Sequence, residues 1–547
     1  VTKQTAVLLL ALLFAGFAAA QQDQGVITGT VTDSTGAVIP GAKVTVRNIA
    51  TNIAQTAETN MNGVYFVGPV KVGTYEVSVE AEGFKKTVRS GIEVHANDRI
   101  GLDFELELGA VTEVVEVTGE TPILKTETAT LETVIDRRQI EQLPLVDRNY
   151  QILAKLAAGV FPEIGGRDRG PLQRGGAQAA GFTAHGQPAL QNNYLIDGID
   201  NNSTVMGMQD RKAQTVIPSL DAVQEFKVQT SNYSAEFGRN AGAVVNVTIK
   251  SGTNELHGSL YEFLRNDIFD ARDAFTYTDR TGDGKADPDV LRQNMFGGTI
   301  GGPIVKNKAF YFFSYEGWRV RLAQNDRSTI PTLLERRGDF SQTRGLKVLK
   351  DPLGGTFPGK VIPPSRLDPV ISALMELYPE PNYSDITRTN YLSTPPWRTD
   401  RDQYDMRFDW NISSKDTVFG RYSWYGFQSL RGAPLPGLAR GATGNDRSLD
   451  DNGGRHMVVN YTRVVSPSIV NEFRFGYKWL DVLKRNDSDI PLTEANAKYG
   501  LKGVPPPDQG EIFGLTRILF TGGLGHRGLG GAFFQPNQKD TQTLMFV

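Results

Sequence analysis

The residues best suited to chemistry lie near the middle of the chain, in the acidic run "TDRTGDGKADPD". Asp279, Thr281, Asp283, the Lys285 carbonyl and Asp287 fall at the offsets at which a calcium loop places its oxygens, with Gly284 at the sharp turn. Val290 stands where the closing bidentate glutamate belongs, so a solvated acidic turn competes with the metal reading. Asp279, Asp283 and Asp287 are kept as a calcium-loop candidate that lacks its last carboxylate. A second candidate is the run Thr112, Glu113, Val114, Val115, Glu116, Val117, Thr118. Its β-branched residues favour an extended backbone, which could add as a strand to the sheet edge of a partner. A last strand of the preceding unit, or a plain linker, is the competing reading. The histidines, His95, His185, His257, His456 and His526, are scattered without metal-ligand spacing. Nucleophile elbow, phosphate loop and His-Glu-x-x-His patterns are absent. The expectation is therefore no catalytic residue, no cofactor and no committed metal site.

Elements must hold these segments, and composition bounds what they are. Lys3, the apolar run Ala6 to Phe14, Gly16 and Ala18-Ala19-Ala20 have the layout of an export signal over residues 1–20, with the mature chain starting near Gln21. The apolar stretch is shorter than the roughly 20 residues that a membrane-spanning helix needs. Cysteine is absent, so packing and strand pairing must carry stability. A net charge of −3 with interspersed signs argues against nucleic acid as a partner. Abundant glycine and aromatics, with little helical periodicity, predict a mainly β chain.

Residues 21–110 read as short strands. Tyr75, Val77, Val79 and Ala81 alternate with polar residues, as do Ile100, Leu102, Phe104, Leu106 and Leu108, so each set lines one buried face. Turns at Asp33–Gly36, Asn62-Gly63 and Val72-Gly73 give about seven strands in two packed sheets. The stretches "GVITGTVTDSTGAVIPGAKVTVRN" and "TNMNGVYFVGPVKVGTYEVSVEAEGFKK" resemble the carboxypeptidase regulatory-like domain. The resemblance implies a transthyretin-like β-sandwich without catalytic residues, sharing its architecture with carbohydrate-binding folds. An enzymatic reading rests on that family's name alone, and no Glu or His constellation supports it.

Residues 111–252 are mixed. Asp136 is placed to cap a short helix through Gln139, and Asp147 a second one in which Ile152, Leu153 and Leu156 share a face before Gly159. A glycine-rich stretch from Gly165 to Gly186 follows, then strands at Tyr194–Ile196, Val223–Gln229 and Ala243–Lys250, with a turn at Asp197-Gly198. "IEQLPLVDRNYQILAKLAAGV", "LQNNYLIDGIDNN" and "IPSLDAVQEFKVQTSNYSAEFGRNAGAVVNVTIKSGTNELHGSLYEFLRND" resemble the plug of TonB-dependent receptors, in the Oar-like branch with a regulatory-like domain in front. That resemblance implies an α+β plug inside a barrel lumen, and it makes Thr112–Thr118 the TonB-box candidate.

Residues 253–547 read as part of an antiparallel transmembrane β-barrel. Tyr404, Met406, Phe408 and Trp410 alternate with Gln403, Asp405, Arg407 and Asp409. Ile469, Asn471, Phe473, Phe475, Tyr477 and Trp479 alternate in the same way with Val470, Glu472, Arg474, Gly476 and Lys478. Aromatics on one face over roughly ten residues suit a strand that crosses lipid; a soluble barrel or sandwich is the competing reading. The Gly297-Gly298 and Gly301-Gly302 pairs read as strand glycines, since no helix follows them. "RQNMFGGTIGGPIVKNKAFYFFSYEGWR" pairs two strands across a Pro303–Lys308 turn, while "ERRGDFSQT", "DPLGGTFPGKVIPPSRLDP" and "MELYPEPN" resemble the long loop of the same barrels. Plugged transporters close with about 22 strands, so the barrel portion is expected to be incomplete and the chain an N-terminal fragment.

The family resemblance implies an outer-membrane receptor that takes up a large solute, saccharide or peptide, whose identity the sequence withholds. Its expected partners are a TonB-like periplasmic energy transducer and outer-membrane lipid, with the sandwich in the periplasm. The alternative is a non-transport outer-membrane protein for adhesion or surface organisation, carrying a carbohydrate-binding-like front domain.

Overall fold

The computed structural model describes residues 24–109, 114–116, 130–143, 145, 148–162, 182–203, 214–233, 236–238, 240–271, 290–323, 326–383, 389–441, 449–466, 469–504, 512–520, 525–531 and 537–546. Among these, strands dominate, in three successive units. The export signal, most of the glycine-rich stretch and the calcium-loop candidate residues Asp279, Asp283 and Asp287 lie outside the described residues.

The first unit is a two-sheet sandwich of β1 (Gly25–Asp33), β2 (Lys43–Asn48), β3 (Ala54–Glu58), β4 (Val64–Val70), β5 (Gly73–Glu80), β6 (Lys86–Val94), β7 (Arg99–Gly101), β8 (Phe104–Leu106) and β9 (Val114–Glu116). One sheet runs β4-β1-β7 with β8 also on β1; the other runs β3-β2-β5-β6-β9. The period-two residues Tyr75, Val77 and Val79 meet Ile27, Val31, Tyr65 and Phe104 in one core. The run from Ile100 to Leu108 is not the single strand that its alternation predicts. It splits at Leu102, whose carbonyl accepts the Tyr65 hydroxyl at 2.6 Å and whose amide donates to Thr28 O at 2.7 Å. The close crossing needs Gly29, where a Cβ would stand 2.0 Å from the Leu102 oxygen. With this split and β9, the unit has nine strands rather than about seven.

The second unit holds β10 (Leu131–Ile135), β11 (Val160–Pro162), β12 (Phe182–Ala184), β13 (Asn193–Ile196), β14 (Ile199–Asp200), β15 (Val223–Ser231) and β16 (Val244–Ile249). Five of these form a mixed sheet in the order β10-β15-β16-β13-β14. Asp136 caps helix Arg137–Gln142 as expected, in a capping box with Gln139. The next helix, Tyr150–Leu156, is a 3-10 helix capped by Asn149; Asp147 lies outside the described residues. Ile135, Ile140, Tyr150, Leu153, Phe226 and Val245 form the core, and three residues of the third unit, Phe312, Tyr425 and Phe427, complete it.

The third unit is one antiparallel sheet of β17 (His257–Asn266), β18 (Val290–Val305), β19 (Ala309–Ala323), β22 (Pro396–Asn411), β23 (Asp416–Arg431), β24 (Leu449–Ser466), β25 (Ile469–Arg485) and β26 (Asn537–Phe546), in that order. A separate small pair, β20 (Asp326–Ser328) with β21 (Tyr391–Ser393), sits in the connection between β19 and β22. The glycine pairs fall inside β18, where a Cβ on Gly297 would meet Tyr315 O at 2.3 Å. Strand ends joined by a few residues, Val305 to Ala309, Asn411 to Asp416 and Ser466 to Ile469, gather at one end, while those joined by long stretches, Ala323 to Pro396, Arg431 to Leu449 and Arg485 to Asn537, gather at the other. The strands sort their side chains as the alternation predicts. Met406, Phe408 and Trp410 are 40–43% exposed on the outside, whereas Gln403, Asp405, Arg407 and Asp409 are 1–8% exposed on the inside. Burying the charged face and exposing the aromatic one inverts what water would select, and matches a strand with hydrocarbon outside and a polar filling within.

Candidate functional site: the charged seam between plug and barrel

Consecutive inward positions on four neighbouring strands put cations and anions on one concave wall. β22 supplies Arg401, Asp405, Arg407 and Asp409, β23 supplies Arg421 and Ser423, β24 supplies His456, and β25 supplies Glu472, Arg474 and Lys478. All but Glu472, which is half-buried, are at least nine-tenths buried, because the second unit fills the concavity.

The tightest contact is made by the turn between β13 and β14. Asp197 and Gly198 both take positive φ, 47° and 73°, which pushes the Asp197 carboxylate toward the wall. Asp197 Oδ1 lies 3.1 Å from Arg407 Nη1, Oδ2 lies 2.6 Å from Arg421 Nε, and Ile249 N donates to Oδ1 at 3.1 Å. Arg407 also donates to Ile249 O at 3.0 Å and grips Asp409 at 3.0 and 3.2 Å. Asp409 in turn accepts from Ser251 Oγ at 2.7 Å and pairs with Lys71 of the sandwich at 2.7 Å. The chain Asp197, Arg407, Asp409, Lys71 thus passes from the second unit through the third to the first.

Two further contacts flank it. Lys478 Nζ donates to Asp200 Oδ2 and Asn202 O, both at 2.8 Å. Burial pushes the Asp200 carboxyl up, but the Lys478 ammonium and hydrogen bonds from Lys478 and Asn202 outweigh it and hold the group below the ordinary aspartate range. Beside them, Arg421 Nη2 lies 2.8 Å from His456 Nδ1, and His456 Nε2 lies 3.2 Å from Asp200 O. A guanidinium only donates and a carbonyl only accepts, so this geometry requires the neutral Nε2–H tautomer. On the other flank, Arg148 pairs with Asp221, approaches Glu316 Oε2 at 3.5 Å and stacks over Tyr261 and Phe263 at 4.4 and 4.5 Å. Glu316 is also held by Arg401 at 2.5 Å and Tyr261 OH at 3.0 Å. Burial raises the Asp221 carboxyl despite the Arg148 and Lys250 charges, and burial lowers the Lys250 ammonium.

The short-turn end is covered by the sandwich. His95 Nδ1 lies 2.6 Å from Glu225 Oε2, Ala96 N donates to Glu225 Oε1 at 2.8 Å, and Lys227 Nζ reaches Asp98 at 2.9 Å and Glu132 at 3.1 Å. A cavity of about 370 Å³ remains where the three units meet, lined by Asn48, Gln55, Tyr75, Arg137, Thr248 and Asn411 among others. At the opposite end the described parts of the long connections pack on one another. Ile330, Leu374 and Tyr378 pack with Leu435, Leu438 and Ala439 and with Ala495, Leu515 and Leu529 in a small core of their own. Arg527 pairs with Asp326 at 3.1 Å, and Glu335 lies 3.3 Å from His526 Nε2.

Of the strand-addition candidate, Val114, Val115 and Glu116 are described, as β9 paired in parallel with Lys86–Val88 of β6; Thr112, Glu113, Val117 and Thr118 lie outside the described residues. No group of three or more His, Cys, Asp or Glu suited to a metal ion occurs among the described residues. Sequence reasoning named neither Asp197 nor its arginines as a site. The signal was present in part, as a turn at Asp197-Gly198 and as charged residues at alternate positions of two strands, but nothing in either segment identifies the other as its partner.

Comparison with known proteins matches the outer membrane beta barrel domain over residues 248–547, more than half of the chain. The carboxypeptidase regulatory-like domain matches residues 26–107 and the TonB-dependent receptor plug domain residues 125–245. The TonB-dependent transporter Oar of Myxococcus xanthus is 29% identical over 335 residues, covering 58% of this chain and 28% of that protein. Among solved structures, the outer membrane transporter YddB of Escherichia coli aligns with a TM-score of 0.41 at 14% identity, over 66% of this chain and 40% of that one. The siderophore receptor PirA of Acinetobacter baumannii aligns with a TM-score of 0.42 at 13% identity, over 76% and 44%. The chain therefore spans less than half the length of these relatives. Those families are receptors and transporters rather than enzymes, and they reside in the outer membrane. The chain belongs to the outer membrane β-barrel family, with a carboxypeptidase regulatory-like domain and a TonB-dependent receptor plug domain ahead of the barrel.

Proposed function

We propose that the protein is an outer-membrane transporter that admits a large solute when a TonB-like transducer displaces its plug. The observation that carries this reading is the seam itself. The plug meets the barrel wall through ion pairs, Asp197 with Arg407 and Arg421, Asp200 with Lys478, and Arg148 with Glu316, beside local apolar contacts at Phe312, Tyr425 and Phe427 and at Ile199 with Phe419 and Val458. Buried pairs of this kind hold geometry well, yet their charges regain water once parted, so the net stabilisation they add over the separated state is small. A continuous apolar interface would resist parting far more, at roughly 25 cal/mol per Å² of surface re-exposed. Such a wall suits a stopper meant to be moved.

The finer parts of the reading are that the solute is a saccharide or peptide, that the sandwich faces the periplasm, that units divide near residues 20, 110 and 252, and that Thr112–Thr118 is the TonB box. The sandwich sits at the short-turn end, which is the periplasmic end in barrels of this class. Cells carrying the full gene, offered labelled oligosaccharides and peptides, should accumulate one of them only while the proton-motive force is intact, and deletion of residues 112–118 should stop it. The apolar core shared by the long connections favours a second reading, an ordered outer surface for adhesion or surface organisation. Loss of cell attachment on gene deletion, with no gene-dependent accumulation of any probe, would select that second reading.

A further inference from the structure

The cavity of about 370 Å³ where the three units meet has a lining without free charge. Four charged side chains reach it, and each already has a partner of opposite sign: Lys71 with Asp409 at 2.7 Å, Arg407 with Asp409 at 3.0 Å and Arg137 with Glu141 at 2.7 Å. The rest of the polar lining is neutral, amides and hydroxyls such as Asn48, Gln55, Gln224, Thr248, Asn411 and Ser413. Each of these groups can both donate and accept a hydrogen bond. Ile49, Ile53 and Val72 add apolar surface beside them.

The plug contributes the most specific feature. Where β15 pairs with β16, Val223 faces Ile249 and Glu225 faces Thr248, so Gln224 is one residue too many for the ladder and forms a β-bulge. Bulges re-aim side chains, and this one stands at the cavity. Opposite it, Thr248 is more than nine-tenths buried, and among the described residues its hydroxyl has no hydrogen-bond partner. A buried hydroxyl in that state is costly unless something else occupies the site. The cavity can also be entered. Ala50, Ala54, Ser413 and Ser414 line it and are exposed, so its mouth opens at the short-turn end beside the sandwich.

We propose that this cavity binds the end of a neutral saccharide, seated between sandwich, plug and barrel wall. Its volume falls in the roughly 300–1,000 Å³ range of small-molecule sites and suits a mono- or disaccharide. Sugar hydroxyls donate and accept at once, as the lining does, while the C–H face of a ring packs on Ile49, Ile53 and Val72. An ion finds no unbalanced charge there, and neither does the terminus of a peptide. Gln224 and Thr248 hold the sugar from the plug, Asn411 from β22, and Gln55 from the sandwich, where its Nε2 is already fixed to Pro69 O at 3.0 Å. A bound sugar thereby ties the sandwich to the short-turn mouth and opposes its departure. The site stands apart from the transport reading, because a solute leaving the lumen and a glycan fixed in the cell envelope present the same hydroxyls.

The complete protein, purified in an amine-oxide detergent whose head group carries no sugar, is titrated with cellobiose, maltose and diacetylchitobiose, with trialanine and inorganic phosphate as controls. Sedimentation with cell-wall glycan stripped of its peptides forms a second arm. At least one saccharide arm shows binding, and Thr248→Val, which removes the hydroxyl, and Ala54→Trp, which fills the cavity from its rim, each weaken it tenfold or more. The first variant loses an unpartnered hydroxyl and the second alters an exposed residue, so neither deletes a contact that holds the fold. Binding of a soluble disaccharide identifies a mobile solute as the source, and binding to the stripped glycan alone identifies a fixed one. Saccharide binding that either variant leaves intact overturns the proposal. So does silence in both arms, which means that the cavity holds water only, and so does tighter binding of trialanine or phosphate than of any sugar. None of these failures touches the transport reading, which the accumulation assay tests by itself.

Discussion

Asp197→Asn should loosen the plug more than any other single conservative change in the seam. Asp197 is fully buried and faces two guanidiniums, Arg407 and Arg421. Arg407 keeps a second carboxylate, Asp409, at 3.0 Å. The remaining polar contacts of Arg421 go to neutral groups: Ser423 Oγ at 2.8 Å, His456 Nδ1 at 2.8 Å and Ile196 O at 3.5 Å. The substitution therefore leaves the Arg421 charge in a dry site with no direct carboxylate partner, Asp405 acting on it only through Ser423, which costs up to about 3–5 kcal/mol. At 1.4 kcal/mol per decade, the population of plug-released molecules rises by up to about two to three and a half orders of magnitude. Amide exchange in β13 and β16 should accelerate accordingly in detergent-solubilised protein, and cells should become sensitive to large antibiotics that the outer membrane excludes. Adding Arg421→Met removes the stranded charge and should recover most of the loss, a non-additivity of more than about 1 kcal/mol. Exchange and antibiotic sensitivity within twofold of the native protein in Asp197→Asn would refute the reasoning, as would additive behaviour in the double variant.

Three other outcomes are expected. Phe408→Arg, on the outward face of β22, should destabilise the folded barrel by about 2–4 kcal/mol if it lies near the bilayer midplane, read as a lower urea midpoint in lipid vesicles, whereas Phe408→Leu should be nearly silent. Leu374→Ala, in the core shared by the long connections, should cost about 2–5 kcal/mol locally and speed protease cleavage within 324–395 without altering exchange in the plug sheet. Glu335 is pushed up by burial, but hydrogen bonds from His526, Thr343 and the Thr332 amide and the His526 charge bring it down to about 2. A carboxyl depressed in the folded state contributes stability that is fully present above its ordinary value of 4.5 and is lost as pH falls toward about 2. Protease resistance of the long connections should therefore decline between about pH 4.5 and 2, and Glu335→Gln should flatten that decline by lowering resistance at higher pH.

Much of the organisation is legible because it is local. A strand writes its two faces into every second residue, so Tyr404 to Trp410 and Ile469 to Trp479 announce themselves without reference to anything else. Asp136 with Gln139 specifies a capping box within four residues, and Asp197-Gly198 specifies a turn. The split at Leu102 was not legible, because it follows from a contact with Thr28 and Tyr65 that alternation does not encode.

The sequence by itself determined which faces are polar, where chains turn and which motifs follow one another, since backbone sterics and side-chain period act over a handful of residues. Only the tertiary structure decided that Asp197 meets Arg407 and Arg421, that three distant connections share one apolar core, and that β9 lies on β6. Those pairings join residues separated by tens to hundreds of positions, and any inward arginine could have met any plug carboxylate. The register of neighbouring strands and the way the plug sheet seats against them select one match, and that selection is a property of the assembled wall, not of any segment in it.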